Sequence, residues 1–216
     1  MLSLILLMGL SAFIIYRLID ILGREEVRGE PEWIESITHL FRKKDSEPQK
    51  AKDADFEVIP PEEASLPSNI RKVFETLRKE DKGFNAKFFI DGVKKAFEMI
   101  VDAVNNYHVD VLKELLSRSL YQSFNSELRK RFSEGPKYEA TLVKIKNVEI
   151  LDAYIKGEMV YIKVKIDSQQ IILTKDKDGK VIDGKADEIL DISDIWTFWK
   201  EVKGKDYWEL VKTSPK

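Results

Sequence analysis

Residues Phe84 to Val104 read FNAKFFIDGVKKAFEMIVDAV. Phe88, Phe89, Val93, Ala96, Phe97, Ile100, Val101 and Val104 recur at helical spacing, with Asp91, Lys94, Lys95, Glu98 and Asp102 opposite them. This predicts a long helix with one apolar face. A shorter helix is predicted before it, over Ser68 to Glu80. There Ile70, Val73, Phe74 and Leu77 follow a Pro67-Ser68 start signal at i, i+3, i+4 and i+7, and Lys82-Gly83 ends the run. Val111, Leu112, Leu115 and Leu116 mark a third helix. Leu120, Phe124, Leu128 and Phe132 mark a fourth, stopped by Gly135-Pro136.

The period then changes. Val160, Ile162, Val164 and Ile166 alternate with Tyr161, Lys163, Lys165 and Asp167, the pattern of a half-buried strand. Ala140 to Ala153 reads as a strand with a slip near Lys146-Asn147, as a bulge would produce. Ile171 to Lys175 and Val181 to Lys185 flank Asp178-Gly179, a hairpin signal. Ile192 to Val202 and Tyr207 to Lys212 complete a sheet. Helices and strands in separate runs predict an α+β domain over residues 67–216, with helices packed on a curved antiparallel sheet.

Two other regions precede that domain. Met1 to Tyr16 carries no charged side chain, and Arg17 can snorkel, so Met1 to Leu22 is long enough for a transmembrane anchor. A cleaved signal peptide would want a charged stretch first, which is lacking. Arg17, Arg24, Arg28, Arg42, Lys43 and Lys44 all follow the apolar run, which predicts a domain on the cytoplasmic or matrix-like side of its membrane. Residues 23–66 are charged and poor in large apolar side chains, a tether. Within it, residues 31–44 place Trp33, Ile34, Ile37, Leu40 and Phe41 on one helical face above a basic end. Two readings stand, an interfacial helix and a transient one.

Composition narrows the chemistry. The 36 Lys and Arg are matched by 38 Asp and Glu, so no global field draws the chain to nucleic acid. Cysteine is absent and there are only two histidines, His39 and His108, which argues against disulfides, a thiol nucleophile and a His-based metal cluster. No Gly-rich phosphate loop, HExxH or GxSxG occurs. Asp176-Lys177-Asp178-Gly179 lacks the remaining ligands of a calcium loop and reads as a hairpin turn. His108 with Asp110, and Asp191 with Asp194, are the pairs most open to a catalytic reading. Their plainer roles are a capping or surface histidine and turn residues at a strand start. Trp196, Phe198, Trp199 and Trp208 read as core and cross-strand packing, and Lys144, Lys146, Lys156, Lys163 and Lys165, interleaved with acids, as a solvated sheet face. No catalytic site, metal or cofactor is expected.

A set of residues in order now carries a resemblance. It runs from Ile59-Pro60-Pro61 through Phe84, Phe89-Ile90-x-Gly92, Ala96-Phe97-Glu98-Met99-Ile100 and Ala103. It continues with Leu112-x-x-Leu115-Leu116, Tyr121-x-x-Phe124, Arg131, Gly135 and Leu142-Val143-x-Ile145. It ends with Asp178-Gly179-x-Val181-x-x-Gly184, Asp194-x-Trp196-Thr197-Phe198 and Trp208-x-Leu210-x-x-Thr213. Together these resemble the C-terminal domain of the mitochondrial inner-membrane translocase subunit forty-four and its bacterial membrane-anchored relatives. Relatives usually carry Gly-Asp where this chain has Tyr107-His108, and Ala-Arg where it has Trp199-Lys200.

The resemblance implies a cone of the nuclear-transport-factor-two type and a non-catalytic scaffold for protein translocation at the inner membrane. It also implies contact with anionic membrane lipid and with other membrane or translocation proteins. The matching lipid-facing helix is Ser68 to Glu80, with Ile70, Arg71, Lys72, Val73, Phe74, Leu77, Arg78 and Lys79 as the expected lipid-binding residues. Recruitment of an Hsp-seventy motor has no evident counterpart in residues 23–66. A ligand-binding or enzymatic cone and a ribosome-to-membrane tether are the competing readings; the first requires a charged residue with a perturbed pKa inside the cleft.

Overall fold

The computed structural model describes residues 63–134, 136–204 and 207–215. The expected anchor, the tether up to residue 62 and the segment 31–44 lie outside the described residues. Among the described residues no helix is long and apolar enough to cross a membrane.

Four helices come first: α1 Ser68–Glu80, α2 Ala86–Asn106, α3 Val109–Leu115 and α4 Arg118–Glu134. Five strands follow: β1 Lys137–Lys156, β2 Met159–Lys175, β3 Val181–Asp183, β4 Leu190–Glu201 and β5 Glu209–Pro215. The sheet is antiparallel in the order β1-β2-β4-β5, with β3 paired to β2 off that path. This is the mixed architecture of helices and antiparallel sheet that the change of period predicts.

Each element has a local cause. Asn85 caps α2 by accepting from the amides of Lys87 at 2.7 Å and Phe88 at 3.4 Å, satisfying donors that a helix start leaves open. Phe89, Val93, Ala96, Phe97 and Ile100 are buried as predicted, each large side chain contributing about 1.5–3 kcal/mol of transfer free energy. Phe88 departs from the expected stripe and is 60 % exposed, because it falls to the side of the Phe89–Val93–Phe97 line. Tyr107 ends α2 in the left-handed conformation, φ 57°. Glycine is favoured there, which accounts for the Gly expected at this position in relatives. Here the Tyr107 ring packs on Phe132 with 4.9 Å between centroids.

In β2, Val160, Ile162, Val164 and Ile166 are fully buried, and Val148, Ile150 and Ala153 of β1 with Trp196 and Phe198 of β4 extend this apolar face, which Asp194 and Lys200 bound at its two ends. Edge-to-face rings tie the helices to it: Phe89 to Phe198 at 6.0 Å, and Phe89 to Trp208 at 4.8 Å. The expected slip in β1 is one of three register shifts, at Leu142/Lys144, Ile145/Asn147 and Ile150/Asp152. Such bulges bend the strand and spoil an exposed edge for pairing with other chains. The Asn105 side chain pins the start of β1 to α2 by bonding both the carbonyl and the amide of Ala140, at 2.6 and 3.0 Å.

The hairpin after β2 explains a glycine of the motif. Asp176 accepts from the amides of Asp178 and Lys180, both at 2.9 Å, so its carboxylate serves the turn. Gly184 has φ +82°, and a Cβ there would lie 2.1 Å from the carbonyl oxygen of Ile172. Only glycine fits.

Described residues ahead of the expected Pro67 also pack on the domain. Glu63 has 3₁₀ conformation and is fully buried, accepting from Arg78 at 2.7 Å and from the Ala86 amide at 3.3 Å.

Candidate functional site

The α1 helix runs over the expected residues, but its apolar stripe points inward. Ile70, Phe74 and Leu77 are 0–1 % exposed and Val73 packs against the same core. They hold the helix on the domain, and their place in the lipid-binding set is corrected on that ground: side chains already removed from water gain nothing from a membrane. Arg78 is also committed, to buried Glu63. Of the expected set, Lys72 and Lys79 are exposed and Arg71 half-exposed. Glu75 lies one turn from both Arg71 and Lys79, so the remaining basic strip is interrupted by an acid.

The residues singled out for chemistry do not assemble. His108 stands before α3 without capping it and lies 3.4 Å from Asp102, both more than half exposed. Asp191 and Asp194 are inside β4, not in a turn, because the strand begins at Leu190. Asp191 faces solvent, held low by hydrogen bonds from Gln169 and Lys146. Asp194 is desolvated, and burial raises its carboxyl to about 6. Tyr138, whose hydroxyl is raised by burial, feels the Asp194 charge and lies under Arg131, 5.6 Å from guanidinium carbon to ring centroid. Glu114, missed in the sequence, is raised to about 7 by partial burial and by Asp110 one turn away. No hydrogen bond or ion pair joins His108, Glu114 and Asp194 to one another, so they form no nucleophile–base pair. Among the described residues no group of three acidic or His side chains is placed to hold a metal.

The sheet face away from the helices is more organised. Registers place its residues in rows straight across the strands. One row is Tyr154, Tyr161, Trp199 and Glu209: the two tyrosines stack at 4.9 Å with 9° between planes, Trp199 follows at 5.8 Å, and its indole N–H donates to Glu209 at 2.9 Å. The next row is Asp152, Lys163, Thr197 and Lys212. The third is Glu149, Lys165, Ile195 and Ser214, with Lys165 held between Glu149 at 3.4 Å and Asp167 at 3.1 Å. The second and third rows border a groove of about 430 Å³ lined by Leu151, Asp152, Lys163, Ile195, Thr197, Lys212 and Ser214. Among the described residues Lys163 and Lys212 have no ion-pair partner. Period-2 patterning identified this face as solvated. The groove was not legible, since it depends on which residues of four strands come into register.

The Tim44-like domain family matches residues 70–215, which is nearly all of the described chain. An uncharacterised protein of Rickettsia prowazekii, RP434, is 25 % identical over 211 residues, covering 91 % of this chain and 89 % of that protein. The mitochondrial import inner membrane translocase subunit TIM44-1 of Arabidopsis thaliana is 20 % identical over 123 residues, covering 57 % of this chain and 26 % of that protein. The intermembrane space region of the chloroplast protein ARC6 superposes with a TM-score of 0.43 at 12 % identity, over 61 % of this chain and 96 % of that one. The match over residues 70–215 places the chain in the Tim44-like domain family.

Proposed function

We propose that the protein is a non-catalytic scaffold or adaptor for protein translocation at a membrane, with residues 1–22 as anchor and the domain on the cytoplasmic side of a bacterial inner membrane. The observation that carries this reading is the Tim44-like domain over residues 70–215. The kinship to a plant mitochondrial import subunit supports it. Peripheral lipid contact in this reading rests on Arg71, Lys72 and Lys79 alone, each basic side chain near an anionic surface contributing about 1 kcal/mol. The scaffold is tested by cross-linking in intact membranes of the native host and identification of the adducts. Components of a protein-translocation machinery are expected. Adducts confined to ribosomal proteins would favour the tether, and a recovered chain with no membrane-protein adduct would overturn the scaffold.

A further inference from the structure

The open sheet face carries both signs of charge in a definite order. Asp152 on β1, Lys163 on β2, Thr197 on β4 and Lys212 on β5 stand in one row. Among the described residues Asp152, Lys163 and Lys212 form no ion pair, and Asp152 makes a long hydrogen bond, 3.5 Å, with the Asn69 side chain. Three strand spacings of about 4.8 Å separate Asp152 from Lys212, too far for the two to pair within one chain. The row beside it is aromatic, with Tyr154, Tyr161 and Trp199 in sequence and Glu209 at its end. Tyr154 is 41 % exposed. Exposed rings on a flat face, rimmed by charge, have the composition of an interface core. Lysines beside carboxylates give the face no single sign, so it does not suit an anionic lipid surface or a nucleic acid. It suits a surface with the same mixture, and the order of the row selects a second copy of this chain.

Two copies of one sheet pack face to face, strands aligned, about a twofold axis lying in the plane between them. With the axis along the rows, Asp152 meets Asp152 and each lysine meets its own counterpart, which repels. With the axis along the strands, the two copies read each row in opposite directions. Asp152 then meets the partner's Lys212, and Lys163 meets the hydroxyl of the partner's Thr197. In the aromatic row Tyr161 meets the partner's Trp199, and the Tyr154 hydroxyl meets the partner's Glu209. Packed sheets lie about 10 Å apart, a gap that an aspartate and an extended lysine span together. Four strands and five rows, Tyr161 to Gln169 on β2, cover a face of about 20 by 30 Å, on the order of what each partner of a standard interface buries. We infer that the open sheet face is a homodimer interface closed about a twofold axis parallel to the strands, with two Asp152–Lys212 ion pairs between the copies and the aromatic rows beside them. The pairing needs no translocation partner.

The full-length chain is prepared in density-matched detergent and its mass followed by analytical ultracentrifugation. A monomer–dimer equilibrium in the micromolar range is expected, weakened by added salt. Asp152→Lys alone and Lys212→Asp alone each set like charges against each other at both contacts, and each is expected to raise the dissociation constant about 30-fold. Mixed in equal amounts, these two variants are expected to form a heterodimer as tight as the native dimer, because both contacts again join opposite charges. The milder Asp152→Asn and Lys212→Gln are each expected to weaken the dimer about five-fold, and they carry the test if a charge reversal shifts the thermal transition. Association through residues 1–22 leaves the dimer indifferent to every one of these changes. A monomeric native chain, a dimer indifferent to the substitutions, or folded single reversals that fail to pair when mixed would each overturn the inference.

Discussion

The two faces of the same sheet obey opposite rules. On the covered face, Val160, Ile162, Val164 and Ile166 are fully buried against α2 and its neighbours. On the open face, the intervening Tyr161, Lys163, Lys165 and Asp167 make rows of rings and charges that stabilise little. One strand thus carries both the cohesion of the fold and its open, solvated face. Substitutions on the two faces should separate stability from function.

The largest expected effect comes from adjacent residues of β4. Phe198 is 1 % exposed and touches Phe89 and Trp196, so Phe198→Ala should cost about 3–5 kcal/mol in urea unfolding. Trp199 points to the open face, and Trp199→Ala should cost about 1–2 kcal/mol through its ring contact and its bond to Glu209. Equal losses would mean that the open face is packed as tightly as the covered one. Next in size is the Glu63–Arg78 pair, whose carboxylate is fully buried. Glu63→Ala should cost about 3 kcal/mol by leaving Arg78 and the Ala86 amide without their partner, which tests whether Glu63 belongs to the folded unit.

Asp194 gives a pH-dependent effect of opposite sign. Its carboxyl is raised to about 6 in the folded state from an ordinary 3.8, so between these values the folded chain binds the proton and the unfolded chain does not. Its contribution favours folding below about pH 4 and is lost as pH rises through 6. Asp194→Asn should therefore raise stability at pH 7.5, on the order of 2 kcal/mol, and flatten the decline between pH 4 and 7 in thermal scans. A variant less stable at pH 7.5 would show that the carboxylate has a stabilising partner. The smallest effect is at Tyr107. Tyr107→Gly exchanges a left-handed strain of about 1 kcal/mol for lost packing on Phe132 and should change stability by less than about 1 kcal/mol, whereas Tyr107→Val should lose more than that.

Much of the covered face was legible in the sequence. A helix at 3.6-residue period and a strand at period 2 must each bury one side, so Ser68–Glu80 and the Val160–Ile166 alternation were readable without knowing their partners. What an apolar stripe touches is not encoded in its period. Ile70, Phe74 and Leu77 looked equally suited to lipid and to core, and only the packing of α1 on the domain decides it. Asp191 and Asp194 were read as turn residues flanking a strand start, yet β4 starts at Leu190 and holds both. The open-face rows were unreadable for a different reason: Asp152, Lys163, Thr197 and Lys212 meet through three pairings, with bulges that shift the register.

The central claim is that this domain acts by binding and not by acid–base chemistry, and one variant tests it most directly. His108→Ala, Glu114→Gln and Asp194→Asn are combined in the full-length chain, removing the one described histidine and the two carboxyls that burial raises most, and the variant replaces the native protein in its host. The account predicts a folded, normally abundant protein that sustains growth and membrane cross-links as the native chain does. A stable, normally abundant triple variant that fails to support function would contradict it.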